Sequence, residues 1–393
     1  MEITRTSRRI ESIDLVRGII IILMALDHTR DYFHQYSYLH DPTDLTHTSA
    51  PIFFTRWITH FCAPGFMFLS GISAYLYQTK KGKGALTTFL LTRGLWLLFV
   101  ELFYVSLMWT FNPSYSAFFL QAIWGFGASM IALAMLIHLP KPVLTALGII
   151  LVFGHNMLDP IRNSSFIWSL LHQPNFSDFH VGSAQFFVAY PVIPYIGIIV
   201  LGYAIGNIYS PATLPEQRKK LLRNYGLAAI LLFIILRGIN IYGDPSPWGT
   251  QSTGLLTFLS FLNTTKYPPS LLYTLMTLGP ILLLLAYLEH PLNSITSKII
   301  VFGRVPMFFY LIHIPFIHGL GILAAMLSGF PATVMVNLTV WVTSNAQLKG
   351  YGFSLPVVYG IWIFVIIVLY PVCKWFGQYK QAHQQEHKWL SYI

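Results

Sequence analysis

Apolar runs of roughly twenty residues recur along the whole chain, separated by short basic stretches and by longer polar loops. A run of that length covers the hydrocarbon core of a bilayer as a helix. Ten such segments are predicted, at about residues 12–33, 51–78, 86–111, 115–138, 142–158, 189–209, 225–242, 269–289, 299–326 and 354–376. The fifth and seventh are short for a bilayer. No stretch between them is long enough for a soluble domain. The pattern therefore predicts an all-α polytopic membrane protein, about ten transmembrane helices in a single bundle that occupies residues 1–393.

Composition strengthens this reading. Charged residues make up 10% of the chain, where a soluble domain carries about a quarter. The net charge of +10 falls in short clusters between spans, which points away from nucleic acid and towards orientation. With the N-terminus inside, the inner segments hold Arg5, Arg8 and Arg9, then Lys80, Lys81 and Lys83, then Lys141. Arg218, Lys219, Lys220 and Arg223 follow, then Lys298, Lys374, Lys380 and Lys388. The outer loops hold only Arg30, Arg162, Lys266 and Lys349. That asymmetry places both termini in the cytoplasm. The basic N-terminus runs into a full span without a small-residue cleavage site, as a retained anchor does. Outer loops 34–50, 159–188, 243–268 and 327–353 are long and rich in His, Asn, Trp, Pro and Gly, the composition of ligand-binding loops. No internal repeat is evident. Cys62 and Cys373 both lie in apolar segments and suggest neither a disulfide framework nor a zinc site.

The first segment carries the most informative pair. His28 follows Arg17 by eleven residues, which on a helix brings the two within roughly 20° of each other and about 16 Å apart along the axis. An ionisable group inside an apolar span ordinarily faces protein or a water-filled path. Snorkelling to the two interfaces is the plainer alternative. Asp14, one turn before Arg17, and Asp31, one turn after His28, stand where each can orient its neighbour. In the second segment Arg56 and His60 are four apart, ahead of a kink point at Pro64-Gly65. An interfacial belt explains Arg56 with Trp57 more readily than it explains His60. Arg93, near the lysine cluster, can meet a phosphate or pair instead with Glu101. Further polar groups are His155 and Asp159, Arg237 and Asn240, the loop Thr265-Lys266-Tyr267-Pro268-Pro269, and Gly303-Arg304 followed by Tyr310 and His313. No P-loop, dinucleotide fingerprint, metalloprotease motif or nucleophile elbow is present. The histidine spacing suggests no metal site.

The run Ile13-Asp14-Leu15-Val16-Arg17-Gly18, the ten residues between Arg17 and His28, and the later Gly303-Arg304, Tyr310 and His313 resemble the transmembrane acyltransferase superfamily. More narrowly, SIDLVRG, LDHTRDYF, TRWITHFCAP, GHNMLD, YGDPSPW, TKYPPSLLY and the final WLSYI make nearly the whole chain similar to bacterial relatives of the heparan-alpha-glucosaminide N-acetyltransferase catalytic domain. The Arg–His spacing also resembles the first span of the acyltransferase 3 family, where that pair is implicated in acyl transfer across the membrane. One position departs. The glucosaminide acetyltransferases have Asn where this chain has His28, and their catalytic His lies on the following outer loop. Here that loop holds His34, His40 and His47, with His60 beyond.

The resemblance implies an acetyltransferase of the inner (plasma) membrane that moves an acyl group from cytoplasmic acetyl-CoA to an outer acceptor, a cell-envelope sugar, without a metal. On that reading His28, Asp31 and His60 are catalytic, and Arg17 and Arg93 hold the acyl-CoA. Arg56, Lys266 and His313 then face the acceptor. The partners expected are acyl-CoA, a glycan or small-molecule acceptor and membrane lipid, with no nucleic acid and the oligomeric state left open. His28 either takes a proton from the acceptor or carries the acyl group itself. The rival reading is a secondary transporter or channel with Arg17 and His28 as coupling groups, distinguished by uptake without covalent change. A non-catalytic sensor, which would not bind acyl-CoA, is the third.

Overall fold

The computed structural model describes residues 10–393, apart from the side chains of Ser177 and Asp178. Arg5, Arg8 and Arg9 of the first basic cluster lie outside the described residues. In chain order, α1 is Glu11–Phe33, α2 Ala50–Trp57, α3 Cys62–Lys81, α4 Lys83–Val100 and α5 Ser106–Thr110. Strand β1 (Ala117–Leu120) precedes α6 (Ala122–Leu136), α7 (Lys141–Phe153) and α8 (Phe166–Leu171). Strands β2 (Asn175–Val181) and β3 (Ala184–Val188) lead into α9 (Val192–Ile205) and α10 (Pro215–Ile239). The chain finishes with α11 (Gly254–Leu262), α12 (Leu271–Tyr287), α13 (Thr296–Arg304), α14 (Pro306–Leu327) and α15 (Leu355–His383).

Helix makes up 70% of the chain and strand 4%. The chain is thus mostly helical, as expected, and adds among the described residues one small sheet of order β1-β3-β2, parallel between β1 and β3 and antiparallel between β3 and β2. Residues 115–138 read as one apolar span because β1 and α6 are both apolar and adjoin. The sheet is held by aromatic pairs across strands, with Phe119 on Phe187 and Trp341.

Among the described residues, six helical stretches are long and apolar enough to cross a membrane: Lys83–Thr110, Lys141–Leu158, Val192–Tyr209, Pro215–Ile239, Pro306–Leu327 and Leu355–His383. The other expected spans fold as helices that miss one requirement. The 23-residue α1 carries Glu11, Asp14, Arg17, Asp27, Arg30 and Asp31. Helices α6 and α12 are apolar but only 15 and 17 residues long. The second segment is broken by a 3₁₀ turn at Ile58–Phe61. The ninth supplies Pro306–Leu327 but is shortened at Val305, which Pro306 keeps out of helical geometry. Two prolines within the helical segments free carbonyls that side chains then satisfy. Pro64 has no N–H for the His60 carbonyl, and the Tyr273 hydroxyl donates to it at 2.8 Å. Pro315 leaves the Leu311 carbonyl to the Tyr104 hydroxyl, also at 2.8 Å.

Helix α1 is the axis of the bundle, packed on α3, α12, α13, α14 and α15. Its closest neighbour is α13, because Gly18 and Gly303 remove the side chains between them. A Cβ on Gly303 would stand 1.7 Å from the Asp14 carbonyl oxygen. Helices α10 and α15 form the perimeter and expose Leu231, Ile234, Ile363 and Ile367 as a lipid-facing belt. The connections gather at two ends. At one, Gln35 pairs with Phe353, Asn337 with Phe111, Gln185 with Ser116 and Asn263 with Thr43. At the other, Arg218 binds Glu289, Tyr203 binds Gln78 and Arg93 binds Ser391. We call these the loop-rich end and the basic end.

Candidate active site

A cavity of about 940 Å³ follows α1 from the basic end towards the loop-rich end. Lys80, Arg93 and Arg304 line its basic end, Arg17 its course, and Asp27, His28 and Lys266 its inner limit. The shared face expected for Arg17 and His28 is therefore the wall of one cavity. Arg17 is held by Asp14 at 3.2 Å, by the Leu69 carbonyl at 3.2 Å and by Ser73. Arg93 donates to the Ser391 carbonyl at 2.6 Å and lies over the Phe89 ring. Glu101 is not its partner. That carboxylate is fully buried and accepts from the backbone N–H of Gln121 and Trp124, capping α6 in the manner of an anion at a helix N-terminus.

The inner limit is built on Asp27, which the sequence reading passed over. Both its carboxylate oxygens lie 2.7 Å from Arg56 Nη1. Thr59 donates to it at 2.9 Å, Arg30 Nη1 lies at 2.9 Å and Lys266 Nζ at 3.9 Å. Arg30 also holds Asp31 at 2.5 Å. Three cations against two carboxylates leave one net positive charge in a largely buried place. The signal for Asp27 was present: an acid beside His28, three residues before Arg30, inside an apolar run.

His28 Nδ1 lies 2.7 Å from His313 Nε2. On its far side, His313 Nδ1 faces the Phe309 and Tyr310 carbonyls at 3.0 and 2.8 Å. Carbonyls only accept, so His313 Nδ1 carries the hydrogen. With both rings neutral, His313 Nε2 accepts from His28 Nδ1–H, and the lone pair of His28 is left on Nε2. A histidine in that tautomer is a proton acceptor aimed away from its support.

The geometry departs from three expectations here. Asp31 does not orient His28; it is drawn to Arg30, and His313 supports the ring. His313 is fully buried behind His28 and so does not itself face the cavity. Arg56 and His60 do not stack, since the 3₁₀ turn separates them. Arg56 turns to Asp27, while the buried His60 ring packs on Tyr273 with its Nδ1 unpaired, off the cavity lining.

Lys266 comes from a loop fixed by buried polar groups. Arg237 donates to the carbonyls of Ser260, Phe261 and Asn263 at the end of α11 and to that of Ser246. Asp244 accepts from Thr265 and Ser270 on either side of Lys266. Three of these carbonyls are free acceptors at the C-terminal end of α11, and the fourth, that of Ser246, ties the loop to α10 through the same guanidinium.

Residues 9–242, more than half of the 393-residue chain, match the family described as heparan-alpha-glucosaminide N-acetyltransferase, catalytic. The chain belongs to this family. Comparison with curated proteins finds no match. Arg17, Asp27, His28, Arg56 and Arg93 lie within the matched stretch. Lys266 and His313 lie beyond it in sequence, and the fold returns both to the same site in this acetyltransferase.

Proposed function

We propose that the protein transfers an acetyl group from acetyl-CoA, entering at the basic end, to an acceptor sugar at the loop-rich end. The observation that carries this reading is the cavity itself, with Arg17, Lys80 and Arg93 towards one end and His28 with Lys266 at the other. The residues fit the donor. Guanidinium and ammonium groups suit its phosphates, and the cavity between helices suits its narrow pantetheine arm. Lys and Arg asymmetry supports a cytoplasmic basic end and both termini inside, in the plasma membrane. The alternate gathering of connections at two ends supports ten crossings, made by the six stretches above together with α1, α3, α6 and α12.

In the reaction, the acceptor nitrogen or oxygen attacks the thioester carbonyl carbon and passes its proton to His28 Nε2. His313 holds that ring through Nδ1. The developing oxyanion meets the positive charge of Lys266 and the Asp27 cluster. Collapse of the tetrahedral intermediate breaks the C–S bond, and His28 returns the proton to the leaving thiolate. Burial of the site keeps water from the thioester.

The test uses purified protein in detergent with acetyl-labelled acetyl-CoA and a panel of amino sugars. We expect free CoA thiol to appear in step with acetylated sugar. Acetyl-CoA that neither binds nor loses its acetyl group, while reconstituted protein moves sugar unchanged across vesicles, would establish the transporter reading instead.

A further inference from the structure

The loop-rich end holds a second constellation that the acyl-transfer chemistry does not use. The 3₁₀ turn His155–Leu158, which ends α7, sets His155 four residues before Asp159. His172 closes α8 thirteen residues later. Sequence spacing suggested no metal here, because the third group arrives only through the fold. One ligand-capable atom from each of the three residues lies within 4.8 Å of the others. His172 Nε2 is 3.0 Å from Asp159 Oδ1, and the two imidazoles meet edge-on at 5.6 Å.

The decisive feature is what the histidines lack. His155 and His172 are each 2% exposed. Among the described residues, neither ring nitrogen of His155 makes a hydrogen bond, and His172 Nδ1 makes none. The Pro269 carbonyl lies beside the His155 ring without closing a bond of ordinary geometry. A buried imidazole with both nitrogens unpaired loses hydration and receives nothing in return. It needs a partner that accepts a nitrogen lone pair.

We propose that His155, Asp159 and His172 bind one divalent first-row cation, zinc by the character of the donors. Two neutral imidazoles and one carboxylate form a three-residue zinc set with a fourth position open to water. The carboxylate is already oriented for it. Asn156 Nδ2 donates to Asp159 Oδ2 at 2.8 Å and leaves Oδ1 towards His172. Asn156 Oδ1 in turn accepts from the Leu271 N–H at 2.9 Å, at the start of α12. The cation joins the ends of α7 and α8 and, through Asn156, the helix that follows the Lys266 loop. A second His-Asp-His group, His40, Asp44 and His47, is a solvated turn by contrast. It is largely exposed, and His47 Nδ1 already meets Asp44 and Thr46.

Full-length untagged protein, stripped with a chelator in detergent, is titrated with Zn²⁺ and Co²⁺, and retained metal is measured by mass spectrometry after gel filtration. We expect one zinc per chain and, with cobalt, the visible absorption of a four-coordinate site. His155→Ala and His172→Ala should lose it, and Asn156→Ala should weaken it about ten- to a hundred-fold. Asp159→Asn keeps the shape of the side chain; its loss of metal at an unchanged elution volume separates ligation from misfolding. His47→Ala should retain the metal. Wild-type protein that holds neither ion, zinc retained by Asp159→Asn and His155→Ala, or zinc lost only in His47→Ala overturns the assignment.

Discussion

The imidazoles of His28 and His313 meet through Nδ1 and Nε2 at 2.7 Å, although the residues are 285 positions apart. The far nitrogen of His313 is committed to two carbonyls, so the pair has a direction: hydrogen towards the protein, lone pair towards the cavity.

From this follows a graded loss of activity. His28→Ala should lower kcat about a hundred- to ten-thousand-fold while acetyl-CoA still binds. His313→Ala removes only the support and should lower kcat about a hundred-fold, with KM for acetyl-CoA unchanged and a displaced pH–rate profile. A His313 variant that loses donor binding instead would assign it a merely architectural role.

Arg17 and Arg93 should act on donor affinity. Removing a charge-assisted phosphate contact costs about 1.5–3 kcal/mol, or roughly ten- to a hundred-fold in Kd. Calorimetry with Arg17→Ala and Arg93→Ala measures it. Unchanged affinity in both would leave Arg17 to Asp14 and Arg93 to Ser391 as fixtures of the fold.

The cluster around Asp27 should govern stability as much as rate. Asp27→Asn strands Arg56 and leaves Arg30 to Asp31 alone, in a buried place where breaking an ion pair costs about 3–5 kcal/mol. Thermal unfolding in detergent should show a markedly lower midpoint, and Arg56→Ala a similar one. A midpoint equal to wild type would mean that water reaches these charges freely.

Outside the spans, His34 gives a pH dependence. Burial and the nearby Arg30 guanidinium hold its imidazole down to about 4, whereas the unfolded chain takes up that proton near pH 6.5. Between those values the unfolded state binds more protons, so stability falls as pH drops from about 6.5 to about 4 and is level above that window. Unfolding midpoints across pH should follow this course, and His34→Asn should flatten it. An equally steep profile in the variant would locate the titration elsewhere.

Periodicity and charge made α1 legible, together with its polar face, because a single helix contains everything needed to infer that Arg17 and His28 look the same way. What lay hidden depended on other segments. His313 could be seen as a lone histidine in an apolar helix, but its place behind His28 is set by packing across the bundle. Asp31 looked like a natural orienter at helical spacing; Arg30, adjacent and nearly buried, outcompetes His28 for it. The strand β1 escaped notice because an apolar strand and an apolar helix in succession read as one run. His172 joined His155 only through a loop whose path no local pattern specifies.

The unbroken helical ladder of α1 fixes the separation of the two residues proposed here as donor anchor and base. Arg17 and His28 are eleven rungs apart, so about 16 Å of rise and their common azimuth are set by backbone geometry rather than by loop conformation. One residue inserted between them swings His28 through about 100° and removes it from His313, whereas four residues restore the azimuth within about 40° and add about 6 Å. The helix is a ruler, and under the proposed mechanism the length of acyl carrier that fits between its marks is written in the count of residues from 17 to 28.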